Sequence, residues 1–205
     1  MSDRPVDEIR KSSANALKMV YYVILGLAIA AALHKTFVKS DSFIGFQCFS
    51  QDNLDRLFLL LALVFTICRF VNGASLHLDM PSKKRFKLLF DFIAFFLQAS
   101  FFYLMALSLD KPVTFSLLFG LMLLFDAIWL ILLRITKYIE EPYMTVNQWL
   151  LSDCIIIIAL FLIYKIDTTM VSIWSVVAIL AVATIATTLD YYSNKDFYFP
   201  SSSPK

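Results

Sequence analysis

Arg69, Asp91, Asp126 and Asp153 each stand inside a different long apolar stretch of the chain. Charge in hydrocarbon is costly: an Asp or Arg near the centre of a membrane-spanning helix costs about 2.5–3.5 kcal/mol. Such groups must be paired, hydrated or protonated. The chemistry open to them is therefore the handling of protons or ions along a pathway, or the pinning of one helix to another. By default an ionisable residue within the membrane is a functional candidate, and Asp126 is the foremost one here, because an aspartate that deep cannot reach the headgroups.

Neighbouring polar residues follow helical spacing. Thr66, Arg69, Asn72 and Gly73 fall on one face, since three and four residues make one turn. Asp91 and Gln98 are seven residues apart and hence aligned. Thr184, Thr187 or Thr188, and Tyr191 continue a polar stripe late in the chain. Such stripes face a bundle interior, where polar groups find partners. Arg69, Asn72, Asp91, Gln98, Asp126 and Asp153 are the pore or ion-pathway candidates.

The elements that must position these residues are membrane helices. The chain has 205 residues, 60% of them hydrophobic, 17% charged, with twenty phenylalanines and a mean hydropathy of +0.73. A soluble domain is about 25% charged and 45–50% apolar. Six apolar runs stand out, at Ala16–His34, Leu57–Leu78, Phe86–Ser108, Val113–Leu133, Val146–Tyr164 and Thr169–Leu189. Each is near the roughly 20 residues that span the hydrocarbon core. All six prolines fall outside them, and Pro81, Pro112 and Pro142 punctuate three of the connections. The expected fold is all-α: a polytopic integral membrane protein with six transmembrane helices in one bundle. Residues 1–15 form a short N-terminal segment, 16–190 the transmembrane domain and 191–205 a short tail. The first run, ending in Ala30-Ala31-Ala32, resembles a signal peptide. Its length, and the acidic Asp3, Asp7 and Glu8 ahead of it, favour a retained helix.

Basic residues alternate across the connections. Arg4, Arg10, Lys11 and Lys18, then Lys83, Lys84, Arg85 and Lys87, then Arg134 and Lys137, and finally Lys195 and Lys205 fall on one side. The other side carries only Lys35, Lys39, Arg56, Lys111 and Lys165. The positive-inside rule then makes both termini cytoplasmic, in a plasma (inner) membrane. With this topology Arg69 lies ten residues from Asp79, about 15 Å from the cytoplasmic end of its helix, and Asp126 eleven residues from Lys137, about 16 Å. These two are expected to meet. Asp153 falls in the same half, Asp91 lies one turn in and within reach of interfacial water, and Asp190 marks the inner mouth. His77 near the inner interface is expected to be solvated rather than a pH sensor. Trp129, Trp149 and Trp174 are expected to pack or to sit at an interface.

Several function classes lose ground. No basic cluster is interleaved with aromatics as nucleic-acid binding requires. Cys48, Cys68 and Cys154 are far apart and form no CxxC or disulfide framework. There is no HExxH, GxSxG or paired-histidine metal motif, so no catalytic residue, cofactor or metal ligand is assigned; a dyad of two aspartates is the residual enzymatic option. The leading expectation is an oligomeric ion-conducting channel or pore with a polar cytoplasmic-side vestibule and an apolar constriction beyond it. A membrane-permeabilising effector is one form of this. One alternative is a small ion-coupled transporter, against which stands the absence of Gly- or Pro-broken helices. The other is a non-catalytic subunit or scaffold that docks a cytoplasmic protein. Lys83, Lys84 and Arg85 are its partner or lipid-headgroup candidates, although topology setting alone accounts for them. The partners expected are the lipid bilayer, further copies of the chain and a cytoplasmic protein.

Overall fold

The computed structural model describes residues 6–38, 51–79, 87–136, 144–170 and 172–195. All are helix or short connection, with no strand among them. The helices are α1 (Val6–Leu33, widening into a π-helical turn over His34–Val38), α2 (Gln51–Asp79), α3 (Lys87–Leu107), α4 (Pro112–Ile135), α5 (Met144–Ile166) and α6 (Ile173–Ser193). All six are long and apolar enough to cross a membrane.

Three helix starts differ from the sequence expectation by several residues. Helix α2 begins at Gln51 rather than Leu57. Helix α1 begins at Val6, well before the apolar run at Ala16, because nothing in the intervening polar residues breaks a helix. Helix α6 begins at Ile173 rather than Thr169. The Asp167 carboxylate accepts from Thr169 Oγ1 (2.9 Å), the Ser172 amide (3.1 Å) and Ser175 Oγ (2.8 Å). Met170 is turned to a left-handed φ of 48°. The side chain of Asp167 thus organises a turn where hydropathy alone reads helix.

The helices alternate in direction and close into a ring in the spatial order α1, α3, α4, α5, α6, α2. Helix α2 also touches α3 and α4, and half of its most apolar stretch is buried, more than in any other helix. It is the central element. Each helix buries one stripe at spacings of three and four residues: Leu17, Tyr21, Leu25, Ala28 and Ala32 on α1; Val146, Trp149, Asp153, Ile156 and Leu160 on α5. The opposite faces expose large apolar side chains, among them Leu89, Phe90, Ile93 and Phe96 on α3 and Ile155, Ile158, Phe161 and Leu162 on α5. Continuous apolar exposure around a whole bundle is what a lipid environment covers, so the architecture fits a multi-pass membrane protein.

The interior is divided lengthwise. Toward the end that carries Lys35 and Asp110, the core is apolar: Leu59, Leu63, Phe102, Met105, Phe115, Phe119 and Met122 are almost wholly buried. This end is tied by an ion pair of Lys35 Nζ with Asp110 at 2.5 Å and by donation from Lys35 to the Leu107 carbonyl. Toward the end that carries His77 and Asp91, the same stripes become polar. Asp91 and Gln98 on α3, Arg69 and His77 on α2, Asp153 on α5 and Asp190 on α6 are all buried.

Candidate functional site

Arg69 stands on the central helix, one turn beyond Thr66, whose hydroxyl is turned back onto the Ala62 carbonyl at 2.7 Å. That leaves the guanidinium free of competition on its own face. Its Nη2 donates to Asp153 Oδ1 at 2.8 Å, and its Nε lies 3.8 Å from Asp190 Oδ2. Side chains from α2, α5 and α6 thus converge on one charge group. Asp190 Oδ1 also accepts from Asn194 Nδ2 at 2.9 Å, one turn along α6.

The expected partner of Arg69 was Asp126, and the structure corrects this. Both residues do lie in the same half of the bundle. However, the guanidinium bonds Asp153, with no hydrogen bond or ion pair to Asp126 among the described residues, and the Asp153 carboxyl lies within hydrogen-bonding range of the Asp126 carboxyl. Asp126 Oδ1 instead accepts from Gln98 Nε2 at 3.0 Å, and Gln98 Oε1 accepts from the Tyr21 hydroxyl at 2.9 Å. A chain of polar contacts therefore runs Tyr21–Gln98–Asp126–Asp153–Arg69–Asp190 and touches all six helices.

Two sequence expectations near the helix ends are overturned. Asp91, expected to reach interfacial water, is 0% exposed, and His77, expected to be solvated, is 4% exposed. They bond each other at 2.9 Å, His77 Nε2 to Asp91 Oδ1, and the His77 ring packs edge-on to Phe95. Their burial comes with the packing of α2 against α3, which a depth count along one helix does not register.

Asn72 takes no part in the charge group. It donates to the Tyr191 hydroxyl, which in turn donates to the Cys68 carbonyl at 3.3 Å. Thr187 Oγ1 lies 3.2 Å from the Phe65 carbonyl, so Thr187 and Tyr191 of the expected α6 stripe bind α2. Thr184 and Thr188 turn back onto their own helix. Lys83, Lys84 and Arg85 lie outside the described residues. Cys68 and Cys154 are free and exposed.

A cavity of about 50 Å³ opens beside the charge group, lined by Arg69, Gly73, His77, Gln98, Asp126, Trp129, Trp149 and Asp190 among others. A water needs about 10–15 Å³ of such space and two to four polar partners, so the cavity has room for a few waters. Trp129 and Trp149 pack with Leu130, Leu133 and Val146 to form its wall between α4 and α5, the packing role expected of them. Asp126 is only half-buried and presents its carboxyl to this space. By contrast, Asp153 Oδ2 and Asp91 Oδ2 are fully buried with no hydrogen-bond partner among the described residues. Among those residues, no three His, Cys, Asp or Glu side chains converge closely enough to hold a metal ion.

Sequence reading assigned no partnership to Asp190, Tyr21 or His77. The signal for Asp190 was present: Ala183, Ala186 or Thr187, and Asp190 recur at three- and four-residue steps along α6, which places Asp190 on the buried stripe. Nothing local marks Tyr21, whose role depends on α3 lying against α1. No protein-family model matches the chain, and neither a curated protein nor a solved structure resembles it.

Proposed function

We propose that the chain is an ion-conducting membrane protein whose polar vestibule opens to the cytoplasm and whose outer half is an apolar constriction. The observation that carries this reading is the cavity beside Arg69, Gln98, Asp126 and Asp190. It combines room for water with charge, and the other half of the bundle is packed with buried Phe102, Phe115, Phe119 and Met122. Apolar constrictions of this kind gate by dewetting. Carboxylates outnumber the single guanidinium, which favours cations. The orientation follows from the charge asymmetry of the connections: the vestibule end is the one rich in Lys and Arg, and the positive-inside rule puts it, with both termini, on the cytoplasmic side of the plasma (inner) membrane. The vestibule lies within one protomer. Assembly of copies would therefore gather several vestibules rather than build one between subunits.

Planar-bilayer current recording on the purified chain tests the proposal. Cation currents that fall in Asp126→Asn support it; no current under any voltage, pH or lipid composition removes it. One observation favours a second reading, a non-catalytic membrane scaffold: Arg69 is closed between Asp153 and Asp190 as a clamp between helices would be. A scaffold loses stability in Arg69→Ala and has no conductance to lose.

A further inference from the structure

The charge group is out of balance. Asp126, Asp153 and Asp190 share one guanidinium, that of Arg69. Among the described residues, few other ionisable groups face it. Helix α1 contributes Tyr21, α2 contributes His77, α3 contributes Asp91, and α6 adds Tyr191. His77 already pairs with Asp91, so it does not offset the excess. Among the described residues, Asp126 and Asp153 thus face a single guanidinium that Asp190 also approaches, and buried negative charge is costly unless positive charge offsets it.

The atom left without a partner says where that charge goes. Asp153 is 0% exposed; its Oδ1 accepts from Arg69, while its Oδ2 has no donor. The Asp126 carboxyl lies within hydrogen-bonding range of the Asp153 carboxyl. Asp126 Oδ1 is taken by the amide of Gln98, an orientation fixed by the Tyr21 hydroxyl on the other side of that amide. A buried carboxylate oxygen facing a second carboxyl is satisfied by one shared proton.

We infer that the vestibule is a proton site, in which one proton is held between Asp126 and Asp153 and exchanges with water in the cavity. This deepens the reading of the vestibule as an ion site by naming the ion. A metal cation fits less well. Coordination takes six or more oxygens for calcium or magnesium. Here one oxygen of each carboxylate already receives an N–H donor, from Arg69 and Gln98, and no metal-holding group of side chains forms among the described residues. The proton arrives as hydronium in the cavity, forms an O–H bond at Asp126 and leaves water behind; its release is the reverse. Arg69 stays charged throughout and holds Asp153 in place.

Infrared difference spectroscopy of the full chain in lipid nanodiscs tests this directly. The expected result is a protonated-carboxyl stretching band near neutral pH that shifts in heavy water, disappears in Asp126→Asn and persists at a changed frequency in Asp126→Glu. Asp110→Asn, at the far end of the bundle, leaves it in place. Absence of the band near neutral pH overturns the inference, and so does a band unchanged in both Asp126 variants. The Glu variant keeps the test decisive if the Asn variant does not fold. A chain that shows the band but no current retains the shared proton and loses the conduction proposal. A chain that conducts cations without the band loses the shared proton alone.

Discussion

Arg69 on α2 and Asp153 on α5 meet at 2.8 Å across 84 residues of chain, with the guanidinium 6% and the carboxylate 0% exposed. The pair joins helices that are not neighbours in the ring, because α6 stands between them at its rim. It therefore fixes how deep the central helix sits relative to α5. In hydrocarbon such a bond gives register more than strength, since interhelical polar contacts average about 0.6 kcal/mol.

Breaking one side of the pair is a different matter from replacing both. Asp153→Asn and Arg69→Ala each strand a buried charge, and a loss of about 3–5 kcal/mol is expected by comparison with other buried pairs. Arg69→Ala is the worse, because it leaves three carboxylates without their cation. The double variant Arg69→Met with Asp153→Leu recovers a large part of the loss. Denaturant unfolding in detergent micelles reads all three. A double variant as unstable as Arg69→Ala would mean that Asp190, not Asp153, is the partner that matters.

The elements were legible in the sequence because hydropathy and proline placement agree, and each helix keeps an apolar stripe of constant spacing. Asp91 and Gln98, seven residues apart, do share the inward face of α3. The partners were not legible, because they depend on the ring order. Counting residues from the interface placed Arg69 and Asp126 at one level but could not show that Asp153 on α5 takes the guanidinium. Depth was also misleading for Asp91 and His77. Distance from a helix end does not measure burial when a neighbouring helix, here α2 against α3, supplies the partner.

Helix α6 is tied to α2 by Thr187 on the Phe65 carbonyl and Tyr191 on the Cys68 carbonyl. Each bond bridges helices whose alternative partners are scarce in lipid. Thr187→Val should cost about 0.6 kcal/mol and Tyr191→Phe more, because it also removes the acceptor of Asn72; the double variant should lose about the sum unless the two sites, a turn apart, are coupled. Unfolding measurements on the single and double variants check this. A double variant that loses much more than the sum would show that the two contacts hold α6 as a unit.

At the far end of the bundle the electrostatics are those of exposed groups. Donation from Ser175, then from Thr169 and the Ser172 amide, holds the Asp167 carboxyl at about 2. Partial burial works to raise Asp110, yet the Lys35 ammonium keeps it below the usual carboxylate range. A carboxylate whose pKa is depressed on folding contributes stability above its unfolded value, and that contribution is lost as pH falls through the folded value. For Asp167 the window runs from about 4 down to about 2. Trp174, 76% exposed, donates its amide to Ser172 in the same turn and reports on it. In a Trp129→Phe, Trp149→Phe background its fluorescence should change on acidification through this window, and Asp167→Asn should show the changed signal already at neutral pH. A titration centred well above pH 4 would assign the transition to another group.

Gly73 separates the cavity from the helix that lines it. A Cβ built there would meet Trp149 Cζ2 at 3.8 Å, an ordinary contact, so Gly73→Ala fits without displacing the wall. Alanine in place of glycine within a helix is favourable by about 0.8–1.0 kcal/mol, and the variant should be as stable as the parent or more so. Gly73→Leu is different: its side chain would enter the 50 Å³ cavity and displace water from beside Asp126 and Arg69. Overpacking costs about 1–3 kcal/mol, so the fold should survive. If water in the cavity carries the ion to Asp126, current should fall strongly in Gly73→Leu and remain in Gly73→Ala. Proton exchange at the carboxyl pair should slow in parallel, read as the rate at which the infrared band shifts in heavy water. Equal currents in the two variants would show that ions reach the constriction by a route that bypasses the Arg69 cavity, because alanine and leucine differ here in the space they take and in nothing that pairs with charge.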